Sequence, residues 1–124
     1  MYEFPDVERA IREVVEQVAD NVVLFLPADF HERVPIVLVT VVPSVGGGEE
    51  FLRSDRVQID VYGDGRTQTR SIAEAIRRTV VGSHDTAAGL LDDVYVETEP
   101  HEEPYPHDTV SLFSATYRAD TRAF

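Results

Sequence analysis

Apolar residues recur along this chain with two periods, and the places where the period changes mark out its elements. From Pro5 to Ala19, the residues Val7, Ile11, Val14, Val15 and Val18 fall three and four apart. That spacing predicts a helix with one apolar face. Pro5 suits a first helical turn, and Asp6 and Glu8 suit its positive end. The opposite face carries Glu8–Arg12, Arg9–Glu13 and Arg12–Glu16, a solvated face whose pairs contribute about 0.2–0.5 kcal/mol each. Asn21 to Pro27 (NVVLFLP) and Pro35 to Pro43 (PIVLVTVVP) are β-branched runs closed by prolines and predict strands. The second is apolar on both faces, as a central strand is. Arg56 to Gly63 alternates, with Val57, Ile59 and Val61 on one face.

Helical spacing returns from Thr67 to Val81 through Ile72, Ala73, Ile76 and Val80, with Gly82 as the stop. Val94 to Pro100 and Thr109 to Ala119 predict two further strands. The order α-β-β-β-α-β-β defines an α+β domain spanning residues 1–124: a mostly antiparallel sheet of about five strands with two helices packed on one face. Two loops stand out by length, Pro43 to Asp55 and His101 to Asp108.

Charge narrows the function. The chain has 11 basic residues, all arginine, against 23 carboxylates, for a net charge of −12. An acidic chain lacks the basic surface that releases counterions from nucleic-acid phosphates or holds an anionic membrane, so neither is expected as a partner. No apolar run has the length of a membrane span, and the acidic, amphipathic opening MYEFPDVERA is unlike a signal peptide. A soluble intracellular product is expected. Without cysteine, disulfides and thiolate-ligated zinc are excluded.

Candidate chemistry is sparse. In DVYGDGRTQTR (Asp60 to Arg70), two glycines lead from a strand into a helix, where a phosphate could be cradled. A P-loop needs a lysine, which the chain lacks, and a dinucleotide fingerprint needs a third glycine where Gln68 stands. Asp64 would repel a phosphate. The stretch reads as a tight turn, its glycines at positive φ and Thr67 or Thr69 capping the helix. His31 and Glu32 begin like a zinc-protease motif, but HERVP has no second histidine and breaks at a proline. His101 and His107 flank acidic residues in a proline-stiffened loop that reads as solvated and matches no metal-ligand spacing. None of Ser44, Ser54, Ser71, Ser83, Ser111 and Ser114 lies in a G-x-S-x-G motif. No catalytic, cofactor-binding or metal site is expected.

Partner-facing features are more prominent. GGGEEFLRSD sets Phe51, Leu52 and Arg53 in polar surroundings, where the two apolar side chains either fold onto the core or anchor a partner. Tyr105 between two prolines, and Arg118, Arg122 and Phe124 in YRADTRAF, belong to the residue types enriched in interface cores.

The segments FPDVERAIREVV, VPIVLVTVVPSVGG, VQIDVYGDGRT, IAEAIRRTV and ATYRADTR together resemble the tail terminator proteins of long-tailed phages, especially those of actinobacterial hosts. The resemblance covers nearly the whole chain and carries no catalytic motif. It implies a small α+β protein that forms a ring, usually a hexamer, at the head-proximal end of the tail within the virion, after assembly in the host cytoplasm. Its partners would be copies of itself, the tail tube protein and the head-side connector or neck protein, with DNA passing through the lumen. Two other readings share these features: a head–tail connector or neck protein of the same virion, and a small cytosolic enzyme or ligand-binding module.

Overall fold

The computed structural model describes residues 4–43 and 52–123. Helix α1 (Val7–Val15) is followed by the short strand β1 (Val22–Val23), a 3₁₀ turn (Phe30–Arg33), and strands β2 (Ile36–Val42) and β3 (Leu52–Asp64). Helix α2 (Arg66–Val80) leads into β4 (Gly82–Thr86), β5 (Gly89–Glu103) and β6 (Val110–Arg122). Among the described residues, six strands form one sheet in the order β1-β2-β3-β6-β5-β4, in which only β1 and β2 pair in parallel. The chain is therefore α+β with a mostly antiparallel sheet, one strand richer than its sequence pattern indicates.

Both helices lie on the same face of that sheet. Their inward residues Val7, Ala10, Ile11, Val14, Val15, Ala73, Ile76 and Val80 share one core cluster with Val39, Val57, Ile59, Val61, Val94, Phe113, Ala115 and Tyr117. The alternation Val57–Ile59–Val61 places these three toward the helices, opposite Tyr117, Ala115 and Phe113 of β6. Among the described residues Tyr117 is the largest fully buried side chain, and burial pushes the pKa of its phenol up to about 12.

α1 starts where Asp6 caps it, the carboxylate accepting from Arg9 N at 3.2 Å. It ends at Val15, so Val18 falls beyond the helix and is 41% exposed rather than inward. Arg12–Glu16 pairs at 3.7 Å, while Glu13 accepts instead from the backbone N–H of Ala87.

Five expectations are corrected. The strand-to-helix turn is capped by Gly65, at φ 88°, and by no threonine. Thr69 is turned inward and fully buried, its hydroxyl donating to Gly65 O at 2.6 Å. Gly63 lies within β3 without positive φ; it is required by space, since a Cβ there would meet Thr69 Oγ1 at 2.3 Å. The loop Pro43 to Asp55 is shorter than expected, because Leu52–Asp55 pair with β6 as the start of β3. His101–Glu103 likewise belong to β5, opposite Ser114 to Leu112. Finally, β4 and the first residues of β5 form an edge hairpin whose polar, glycine-punctuated sequence shows no alternation. An edge strand has little apolar surface to bury, so it need not show one.

Candidate functional site

The strand pairing fixes the side chains on the helix-free face of the sheet as successive rungs across β2, β3, β6 and β5. They read Ile36–Tyr62–Leu112–Glu103, Leu38–Asp60–Ser114–His101, Thr40–Gln58–Thr116–Thr98 and Val42–Arg56–Arg118–Tyr95. Polarity and cover change from one end of this face to the other.

The first end is roofed by the chain itself. Ile36, Tyr62 and Val110 form a second small core with Phe30, Leu38, Tyr105 and Leu112 against them. Tyr62 meets Phe30 at 5.0 Å and Tyr105 at 5.5 Å between ring centroids, both edge to face. His31 Nε2 is hydrogen-bonded to the Tyr105 hydroxyl, and the His31 and His107 rings lie 4.3 Å apart. Burial, then the charge of Asp60 and the neighbouring Tyr105, raises the Tyr62 phenol above its ordinary value. His107 accepts at Nδ1 from the N–H groups of Thr109 and Val110, which ties down the turn into β6. His107 therefore sits with His31, while His101 lies on β5. There Nδ1 donates to Glu99 O at 2.9 Å and Nε2 to Glu103 at 2.6 Å. Both nitrogens act as donors, and these bonds raise the pKa of His101. Among the described residues, no group of three or more His, Asp or Glu is arranged to hold a metal ion.

Asp60 marks the border of the roofed end. It is only 7% exposed and forms no ion pair among the described residues. Its carboxylate instead accepts from Ser114 Oγ at 2.5 Å and from Gln58 Nε2 at 3.1 Å. A buried carboxylate without such donors would be strongly penalised.

The other end is open. Arg56 Nη2 lies 2.6 Å from Glu97 Oε1 and Arg118 Nε lies 2.9 Å from Glu97 Oε2, so two guanidinium groups clamp one carboxylate. The Arg56 hydrogen bond and the charges of both arginines outweigh desolvation and hold the Glu97 carboxyl below its ordinary value. Arg118 also donates to Ser54 O at 3.4 Å. Around the clamp, Val42, Leu52 and Tyr95 are 52%, 44% and 43% exposed. Beside it runs a groove of about 500 Å³ whose lining includes Leu52, Arg53, Asp92, Asp120, Thr121 and Arg122. Arg122 pairs with Asp92 at 2.7 Å, and Arg53 pairs with Asp55 at 3.4 Å and stacks over Phe4. Asp120 Oδ1 and Thr121 Oγ1 are buried without a hydrogen-bond partner among the described residues.

Of the seven residues marked as partner-facing in the sequence, Leu52, Arg53 and Arg122 thus line one groove, and Arg118 stands beside it. Tyr105 belongs to the roofed end, half-buried under His31. Phe51 and Phe124 lie outside the described residues. Sequence reasoning missed Val42, Tyr95, Arg56 and Glu97, which only the strand register brings together. The glycine turn has its donors engaged: Asp64 N donates to Gln68 Oε1 at 2.8 Å and Gly65 N to Thr109 O at 3.0 Å. Two amides of the turn are therefore used internally. Among the described residues, no helix is long and apolar enough to cross a membrane. No protein-family model and no curated protein matches the chain.

Proposed function

We propose that the chain is a non-enzymatic structural protein that assembles into a ring of six and caps the head-proximal end of a phage tail tube. There it ends tube growth and offers a surface to the head-side connector. The observation that carries this reading is the open end of the helix-free face. There, exposed Val42, Leu52 and Tyr95 surround arginines already paired with Glu97 and Asp92. Preformed arginines framed by aliphatic and aromatic side chains suit protein docking, because little side-chain freedom remains to be lost on contact. The sequence resemblance supplies the kind of assembly.

The acidic balance fits a channel that DNA traverses. Six chains carry a formal charge of 6 × −12 = −72, and a wall bearing that excess repels phosphates. The test is to add purified protein to growing tail tubes and measure their length distribution. Capping at one end, with copies of the protein found there and no nucleotide turnover, supports the proposal. Unchanged tube lengths, or specific ATP or GTP binding by the protein, overturns it.

A further inference from the structure

The strand register sets two acids directly opposite one another at the open end of the helix-free face. Val94 and Ala119 are buried beneath the helices, so their neighbours Asp93 and Asp120 turn to the other face, where the pairing of β5 with β6 aligns them. Like charges directly opposite on paired strands are destabilising. The arginines nearby are already engaged: Arg122 with Asp92, Arg53 with Asp55, and Arg56 and Arg118 with Glu97. Among the described residues neither Asp93 nor Asp120 has an ion pair. Asp120 Oδ1 is covered and has no hydrogen-bond partner there, so its carboxylate carries its charge only partly hydrated, at a cost. The groove of about 500 Å³ that both acids line with Leu52 and Ser54 therefore lacks a cation for this pair.

Arg78 has the converse deficit. The other ten arginines all form ion pairs within the chain. Arg78, exposed in the last turn of α2, has no such partner among the described residues. Ala73, Ile76 and Val80 turn inward, which puts Arg78 on the side of α2 away from the sheet. Along the strands it stands near the level of the acid pair, because Gly82, four residues on, pairs with Val94, the neighbour of Asp93. Cation and acids thus share one end of the sheet but lie over its opposite faces, where a single chain cannot join them. Two copies can. A rotation about an axis along the strands keeps every residue at its level, so the α2 side of one copy can meet the helix-free face of the next. A two-fold contact of groove on groove would set acid on acid, and one of α2 on α2 would set Arg78 on Arg78. Charge favours the head-to-tail contact.

We propose that Arg78 of one copy enters the groove of the next and pairs there with Asp93 and Asp120. This contact rests on the ring reading and names the partner that the open end receives. A guanidinium presents five N–H donors in one plane, enough to serve two carboxylates at once. Leu52, 44% exposed in the groove wall, supplies apolar surface for the aliphatic stem. The contact is heterologous, so each copy gives one Arg78 and receives another, and the series ends only when the ring closes.

Charge reversal tests the contact, read by light scattering beside a thermal melt. Arg78→Glu should melt with the wild type, since no ion pair within the chain is lost, while the concentration needed for ring assembly should rise at least about tenfold. Arg78→Glu combined with Asp93→Arg reverses the charges at every joint and should recover most of that loss. Because the chain has no cysteine, a cross-link can then place the two faces. Glu74 lies one turn before Arg78, and Tyr95 lies two residues from Asp93 on the same face of β5. Glu74→Cys mixed with Tyr95→Cys and treated with a short bismaleimide should give a cross-linked dimer, and neither variant should give one by itself. Rings formed normally by Arg78→Glu, no recovery in the double variant, or Glu74→Cys linked to itself overturn the contact and leave the ring standing. Arg78→Glu rings that form normally but fail to cap tubes also overturn it and assign Arg78 to the tube. A wild-type chain that stays monomeric with or without tail tubes removes the ring as well.

Discussion

Substituting Gly63 by alanine tests whether the glycine turn is an element of packing. The added Cβ would lie 2.3 Å from Thr69 Oγ1 and 3.1 Å from Thr69 Cβ. Thr69 cannot swing aside freely, because it is fully buried at the start of α2 and its hydroxyl is bonded to Gly65 O. Either α2 moves away from β3 or the threonine gives up its rotamer and its hydrogen bond. Overpacking of this kind costs about 1–3 kcal/mol, and a lost hydrogen bond adds about 1 kcal/mol, for a total of roughly 2–4 kcal/mol. For a domain of this size that corresponds to a fall in melting temperature of about 8–15 °C, measured by circular dichroism. Gly63→Ala combined with Thr69→Ala should recover part of the loss, since the 2.3 Å contact disappears while the 3.1 Å contact remains. Asp64→Ala, on an exposed side chain, should change stability by less than about 0.5 kcal/mol. If Gly63→Ala melts with the wild type, or if Asp64→Ala is the more damaging change, packing does not explain the turn.

Other expectations follow from the open end and its neighbours. Replacing Phe51 and Leu52 by serine should weaken tail capping severalfold and leave the melting temperature within a few degrees, by analogy with partner-anchoring side chains elsewhere; an unfolded double variant would assign both residues to the core. Arg122→Glu should abolish assembly with little loss of monomer stability, because the exposed Arg122–Asp92 pair contributes only about 0–1 kcal/mol to the fold; rings of normal yield would remove Arg122 from the interface. Arg118→Glu tests the same idea less cleanly, since it would also set a second carboxylate against Glu97. The Glu97 carboxyl is held below its ordinary value of 4.5, so the clamp's contribution is fully present above that pH and is lost as pH falls through the lower folded value. In thermal melts, Glu97→Gln should remove that acid-side loss; a wild type and variant with parallel profiles would deny the clamp a role in stability. His101 behaves in the opposite sense: its raised pKa stabilises the fold below its ordinary value of 6.5 and ceases to do so as pH rises through the folded value. Nuclear magnetic resonance titration of its ring should show a midpoint above 6.5 in wild type that falls in Glu103→Gln; an unchanged midpoint would dismiss the Glu103 contact as its cause.

Much of this fold is legible in the sequence because burial imposes a period wherever one face of an element meets the core. Val7, Ile11, Val14 and Val15 reveal α1, and Val57, Ile59 and Val61 give both the strand and its inward face. The edge hairpin around β4 escapes for the opposite reason: GSHDT has no buried apolar side to repeat. Leu52–Asp55 and His101–Glu103 read as loops because their own side chains do not ask for a strand; β6, pairing with both, imposes it. The site divides along the same line. Leu52, Arg53 and Arg122 are recognisable as interface types wherever they occur, and the Leu52–Arg122 pairing then places them together. The Arg56–Glu97–Arg118 clamp joins residues far apart in the chain and depends on register across three strands. His31 and His107 likewise meet only because two loops converge over Tyr62.

The ring itself is tested most directly by the mass of the purified protein in solution, measured by light scattering across concentration, with electron microscopy of the same sample on isolated tail tubes. A ring of six chains gives 6 × 13.9, about 83 kDa, and should appear as a cap on one end of each tube. A protein that stays at 13.9 kDa at every concentration and leaves the tube ends bare contradicts the proposed function.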